Sequence, residues 1–252
     1  MTNDQSNRIL KHNRNMTMNT LLKVSAVLLW AGAAQADFVV NVPVGATVLD
    51  NDPSGVLSWT TVSGELGAVS SVSVTFQLNG GFNGDYYALL EHNGAYAVLL
   101  NRVGLSSGNS VGYADAGFGP DGLAQKFTFS EAGAFDVHWY GANSPVLNGS
   151  GQLTGLWKSD GRELDPQFDP PASFDTAPRT ATLDAFLGAD PNGTWNFYIA
   201  DVASGSEGVI ANWGLSVATV PEPGQLVSSA LVLLCAGGLV WRARRRGAAS
   251  VQ

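Results

Sequence analysis

The sequence predicts an all-β fold, an antiparallel β-sandwich. Apolar and polar residues alternate with a period of two in several segments, as they do when a strand buries one of its faces. Glycine, at 30 of 252 residues, and charged residues, at 13%, depart in opposite directions from ordinary usage of about 7% and roughly a quarter. That composition suits a turn-rich sheet protein and excludes a coiled coil or a disordered chain.

The chain opens with Lys11, Arg14 and Lys23, which precede or begin an apolar stretch over 24–34 that runs into Ala34-Gln35-Ala36. Basic start, short apolar core and A-x-A motif make residues 1–36 a signal peptide, cut after Ala36. A core helix would have no reason to stop on that motif just before the strand-like Asp37-Phe38-Val39-Val40. The mature chain is therefore expected to be exported.

The body, 37–219, follows. Val72, Val74, Phe76 and Leu78 alternate with Ser71, Ser73, Thr75 and Gln77, giving the first long strand. Trp195, Phe197 and Ile199 give a second, and Val209, Ala211, Trp213, Leu215 and Val217 a third. Shorter strands are predicted over 57–62, 86–90, 96–100, 126–129 and 135–140, separated by Gly, Asn, Asp and Ser clusters that supply turns. The Gly-, Pro- and Asp-rich stretch 142–178 is long for a connection and is expected to hold another strand pair or a functional loop.

After the body, Val220-Pro221-Glu222-Pro223-Gly224 precedes sixteen uncharged residues, 226–241, and then Arg242, Arg244, Arg245 and Arg246. Sixteen helical residues span about 24 Å, and with flanking Gly224, Gln225 and a snorkelling Arg242 they predict a transmembrane helix. Arginines directly after it keep the extreme C-terminus in the cytoplasm, so the body faces outward. Pro221-Glu222-Pro223, the short apolar helix and the arginine cluster together resemble a PEP-CTERM sorting signal of Gram-negative bacteria, here over 220–252. The resemblance implies a transient inner-membrane anchor and recognition by an exosortase, a membrane-embedded peptidase or transpeptidase that removes the tail. It also implies a place at the cell surface or in an extracellular polysaccharide and biofilm matrix.

Within the body, the order of the pieces resembles the P domain of proprotein convertases. Residues 49–56 look like its opening turn, 69–78 like its first long strand, Gly84-Asp85-Tyr86 with Leu89 and Leu90 like its Gly-Asp-Leu strand, and Phe174-Asp175 like a later acidic turn. The most specific match is Asp190-Pro191-Asn192-Gly193-Thr194-Trp195 with Asp201, Gly208 and Asn212-Trp213-Gly214-Leu215. The resemblance covers about 44–218 and implies a β-jelly-roll, galactose-binding-like, without catalytic activity of its own. The insertion 110–122 departs from the pattern.

Charge narrows the partners. Residues 37–220 carry 19 acidic side chains against Arg102, Lys126, Lys158, Arg162 and Arg179, a formal charge of −14, so nucleic acid is excluded as a partner. The single Cys235 lies in the apolar tail, which leaves the body without a disulfide or a thiol metal ligand. Gly108-Asn109-Ser110-Val111-Gly112, with Asp115 and His138 behind it, formally matches a nucleophile elbow. It lacks the strand before and the helix after that the elbow requires, and no enzyme is expected. His92 and His138 read as structural or solvent-facing residues rather than as a base or a ligand. Calcium suits an acidic exported body, with Asp50, Asp52, Asp85, Asp175 and Asp201 as oxygen ligands or as plain turn formers. Asp50-Asn51-Asp52-Pro53-Ser54-Gly55 is not an EF-hand, because Thr61 stands where its bidentate glutamate belongs. Of the body tryptophans, Trp59, Trp139, Trp195 and Trp213 are expected in the core. Trp157, in the long loop, is the candidate platform for stacking on a sugar.

The expected function is that of an exported, non-enzymatic binding or structural protein of the matrix. The alternative is an accessory module for a secreted subtilisin-like protease.

Overall fold

A computed structural model describes residues 36–120 and 126–220. Ala34, the predicted helix 226–241, the motif Pro221-Glu222-Pro223 and the arginines from Arg242 to Arg246 lie outside the described residues, as does the rest of the expected signal peptide before Ala36. Among the described residues no helix is long and apolar enough to cross a membrane.

Alternation builds the core as the sequence predicts along β3 (Ala68–Gly80), where Val72, Val74, Phe76 and Leu78 are all buried. This strand lies in a six-stranded sheet with β1 (Ala36–Val48), β6 (Gly117–Phe118), β7 (Phe127–Ser130), β8 (Gly155–Trp157) and β10 (Gly208–Val220). Its order is β1-β10-β3-β7-β8, with β6 also on β3. The second sheet has the order β2-β9-β4-β5, formed by β2 (Asp52–Val62), β4 (Tyr86–His92), β5 (Ala95–Asn101) and β9 (Gly193–Asp201). Neither sheet closes, and the two face each other through aromatic rings. Phe76 of β3 lies 6.0 Å from Phe197 of β9, and Phe197 stacks on Trp213 of β10 at 5.3 Å. The Trp213 indole also donates a hydrogen bond to Ser58 Oγ across the gap, at 2.9 Å. Aromatic pairs of this kind add about 0.5–1.5 kcal/mol each beyond the area they bury.

The predicted strand over 135–140 is instead a 3-10 helix, Val137–Ala142. Asp136 precedes it and its carboxylate accepts from the Trp139 amide at 3.3 Å, a local bond that competes with strand pairing. In β10 the inward residues are Ile210, Trp213, Leu215 and Val217, whereas Val209 is turned outward and Ala211 is only half-buried. The register against β1 shifts between Pro43 and Ala46, where Gly45 takes a φ of 67°, and a strict period of two cannot run through such a bulge.

β8 joins β7 in parallel, unlike the antiparallel pairs β1–β10, β2–β9, β4–β9 and β4–β5. A parallel partner requires a long crossover, and the glycine-rich stretch between β7 and β8 supplies it. Past β8 the long loop holds a further 3-10 helix, Pro171–Asp175.

The closing segment 190–195 is tied to the β2–β3 connection and to the end of β4. Asn192 exchanges a pair of hydrogen bonds with the backbone of Glu65, at 2.8 and 2.9 Å. His92 stacks on Trp195 at 3.9 Å, with both ring nitrogens facing the carbonyls of Thr194 and Asp190.

Candidate functional site

Three of the five predicted acids converge where β4 and β9 meet the turn before β2. Asp201 closes β9 with its Oδ1 accepting from the Ala203 and Asn51 amides, at 3.2 and 3.4 Å. Its Oδ2 is buried without a hydrogen-bond partner. Burial first, offset in part by those amides, and then the neighbouring charges of Asp85 and Asp50, push its carboxyl up to about 6. Burial likewise raises Asp85, against the pull of Arg102, whose Nη2 is 4.0 Å from its Oδ1. Asp50 accepts from the Gly205 amide at 2.7 Å, and a Cβ on Gly205 would fall 2.7 Å from Phe82 Cδ2 and 2.8 Å from Asp85 Oδ2, so any larger residue there must push those side chains aside.

The other two acids turn their carboxylates to other partners, although Asp52 stands opposite Asp201 in the register of β2 and β9. Asp52 caps an exposed turn by accepting from the Ser54 amide at 2.9 Å, and Asp175 accepts from the Ser107 amide at 3.1 Å. The five residues therefore do not form one cage. Among the described residues no three carboxylate, imidazole or thiol side chains converge closely enough to hold a metal ion. Asp201 Oδ2 is the only oxygen of the five carboxylates that is both buried and unpartnered.

The residues of the formal nucleophile elbow are held by other partners. His138 is buried, with Nδ1 2.7 Å from Asp160 Oδ2 and Nε2 2.9 Å from the Leu105 carbonyl, and Phe174 stacks on its ring. Asp115 accepts from the Tyr140 hydroxyl at 2.7 Å. Burial works against the charge of Asp160, yet His138 and Arg162 outweigh it and hold that carboxyl below its ordinary value. Arg162 donates to Asp160 at 3.1 Å and reaches Asp136 at 3.3 Å.

The outer face of the four-stranded sheet presents side chains that the sequence reading placed elsewhere. Trp59, expected in the core, is 61% exposed in β2, and Leu57 beside it is 59% exposed. Trp157, the expected stacking platform, is buried, with its indole donating to the Thr154 carbonyl. Opposite Trp59 in the register stands Asn196, then Glu91, then Tyr96. Leu57, Tyr198, Leu89 and Val98 form the next row. Tyr87 packs edge-on to Tyr198 at 6.5 Å. Between Tyr87, Tyr96, Val98 and the loop 163–166 lies an open cleft of about 350 Å3. Glu163 on its rim accepts from the hydroxyls of Tyr96 and Thr180.

Trp59 was missed because polarity misleads in β2. The inward residues there include Ser58 and Thr60, while Leu57 and Trp59 point out. Only the bond from Trp213 to Ser58 shows why a hydroxyl belongs inside.

No protein-family model and no curated protein matches the chain. Among solved structures it is similar to the serine protease of Aeromonas sobria in complex with the chaperone, at 14% identity and a TM-score of 0.41 over 74% of this chain. The same protease solved by itself gives 15% identity and a TM-score of 0.38, again over 74% of this chain. In both cases the chain spans 27% of the length of the matched protein.

Proposed function

We propose that the chain is an exported, non-catalytic binding protein of the cell surface or extracellular polysaccharide matrix, carried there by a sorting tail that an exosortase removes. Its body is read as a jelly-roll of the galactose-binding-like, P-domain-like kind. The observation that carries this reading is the open aromatic face of the four-stranded sheet, where Trp59 is 61% exposed in mid-strand. A large aromatic side chain left in water beside other exposed apolar groups marks a contact surface. Cell fractionation of a host with a matching exosortase tests the reading. The protein is expected in the matrix fraction, and recovery from the cytosol would overturn it.

The second reading, an accessory module for a secreted subtilisin-like protease, rests on the sequence resemblance at 190–195 and 212–215. Co-purification with such a protease from the same host would favour it over the matrix reading.

A further inference from the structure

We infer that the outer face of the four-stranded sheet binds an uncharged polysaccharide chain, with Trp59 and Tyr96 stacking on sugar rings and the Asn196–Glu91 pair reading hydroxyls between them. This rests on the reading of the body as a matrix-binding module and names its site and ligand class.

Trp59, Asn196, Glu91 and Tyr96 occupy one continuous row across β2, β9, β4 and β5. Strands lie about 4.8 Å apart, so the two aromatic residues stand roughly 14 Å apart across the sheet, with the polar pair between them. Alternation sends the strand neighbours Phe197, Leu90 and Ala97 into the core, so the whole row shares the outer face.

A pyranose ring offers two kinds of surface, C–H faces and a girdle of hydroxyls. The row supplies a partner for each. Trp59 and Tyr96, 61% and 42% exposed, offer ring faces to the C–H surface. Glu91 offers acceptor oxygens, and they are already oriented. Its Oε1 takes the Gly94 amide at 2.9 Å and its Oε2 the Asn196 side chain at 2.5 Å. Glu163, beside Tyr96, is held by two hydroxyls in the same way. Acceptors fixed before binding lose less rotamer freedom when a ligand arrives. The cleft of about 350 Å3 at the Tyr96 end lies within the size range of small-ligand sites, about 300–1,000 Å3.

Charge selects among occupants. The cleft is lined by Glu163 and Asp165 and by no lysine or arginine, and Glu91 lies in the adjoining row. An anionic polysaccharide would be repelled, the more so by a body of formal charge −14. A second copy of this chain seated on the same face would add its own Glu91 and Glu163 to a face that already carries both and whose cleft is lined by no basic group. An uncharged, hydroxyl-rich chain satisfies the acids and the aromatics together.

The test is affinity electrophoresis of the full chain in mild detergent. The gels carry hydroxyethylcellulose, galactomannan, dextran or pullulan as uncharged probes, and alginate as the anionic one. Retardation is expected in at least one uncharged gel and not in alginate. Trp59→Ala should weaken that retardation at least tenfold with its melting temperature unchanged, while Trp59→Phe should retain most of it. No retardation in any uncharged gel, equal retardation in alginate, or full binding by Trp59→Ala would each overturn the proposal. If the protein nonetheless fractionates with the matrix, the site fails and the broader reading survives.

Discussion

His138 and Asp160 are fully buried and answer each other's polarity, with Arg162 as the third member. Removing one partner of such a pair strands a charge in the interior at a cost of roughly 3–5 kcal/mol. His138→Ala is expected to lower stability by about 3 kcal/mol in urea unfolding, because Arg162 still faces Asp160. Ser110→Ala, at an exposed loop position, should change stability by less than about 0.5 kcal/mol. Any hydrolase signal in a preparation should survive it. A signal from pure protein that vanished with Ser110→Ala would contradict the non-catalytic reading.

Asp201 behaves in the opposite sense to Asp160. Folding raises its pKa from 3.8 to about 6, so the folded state holds the proton more tightly than the unfolded chain. Its contribution to stability is fully present below the unfolded value of 3.8 and is lost as pH rises through about 6. Above that, the buried ionised carboxyl opposes folding by on the order of 2 kcal/mol. Asp201→Asn keeps Oδ1 for the Asn51 and Ala203 amides and removes the charge. Its melting temperature is expected to decline less than the wild type's between pH 4 and pH 8. Parallel declines would refute this account. Since no three ligating side chains converge among the described residues, millimolar calcium in place of chelator at pH 8 should leave the wild-type melting temperature unchanged. A rise of several degrees that Asp201→Asn abolished would instead make Oδ2 an ion ligand.

In β2 one face meets water and the other the core. Trp59→Ala, on the open face, should shift stability by no more than about 0.5 kcal/mol, whereas Trp213→Ala, inside the sandwich, should cost roughly 3–5 kcal/mol. Chemical denaturation of the two variants side by side distinguishes the faces, and a large loss from Trp59→Ala would put that ring back in the core. β3 and β9 could be read directly from sequence because each buries large apolar side chains on one face. β2 could not, since its core face carries hydroxyls that pair across the gap. The strand expected over 135–140 yielded to a single capping carboxylate at Asp136. β10 lost its regular alternation beside a bulge in another strand, Gly45, which no local pattern in β10 reveals. The convergence of Asp50, Asp85 and Asp201 joins residues far apart in the chain through strand pairing, so their acidity was visible in the sequence but not their grouping.

The body between Ala36 and Thr219 has no cysteine, and its formal charge of −14 over 37–220 would repel phosphate-rich surfaces. What fixes its place in the cell is expected to be the tail. Pro221 and Pro223 lack an N–H and disfavour helix in the residue before each, so the sequence predicts an extended chain around Glu222 as it leaves β10. An extended segment fits a peptidase cleft. The apolar run 226–241 would hold that segment at the outer membrane face while Arg242, Arg244, Arg245 and Arg246 resist translocation, presenting Glu222 at a fixed depth. In a host with the matching exosortase the mature protein is therefore expected to lose the residues after the motif. Glu222→Ala, or neutral residues in place of Arg244, Arg245 and Arg246, should leave a longer, membrane-retained form. Mass spectrometry of the released wild-type protein decides the matter: peptides from beyond Trp241 on that form would defeat the sorting mechanism.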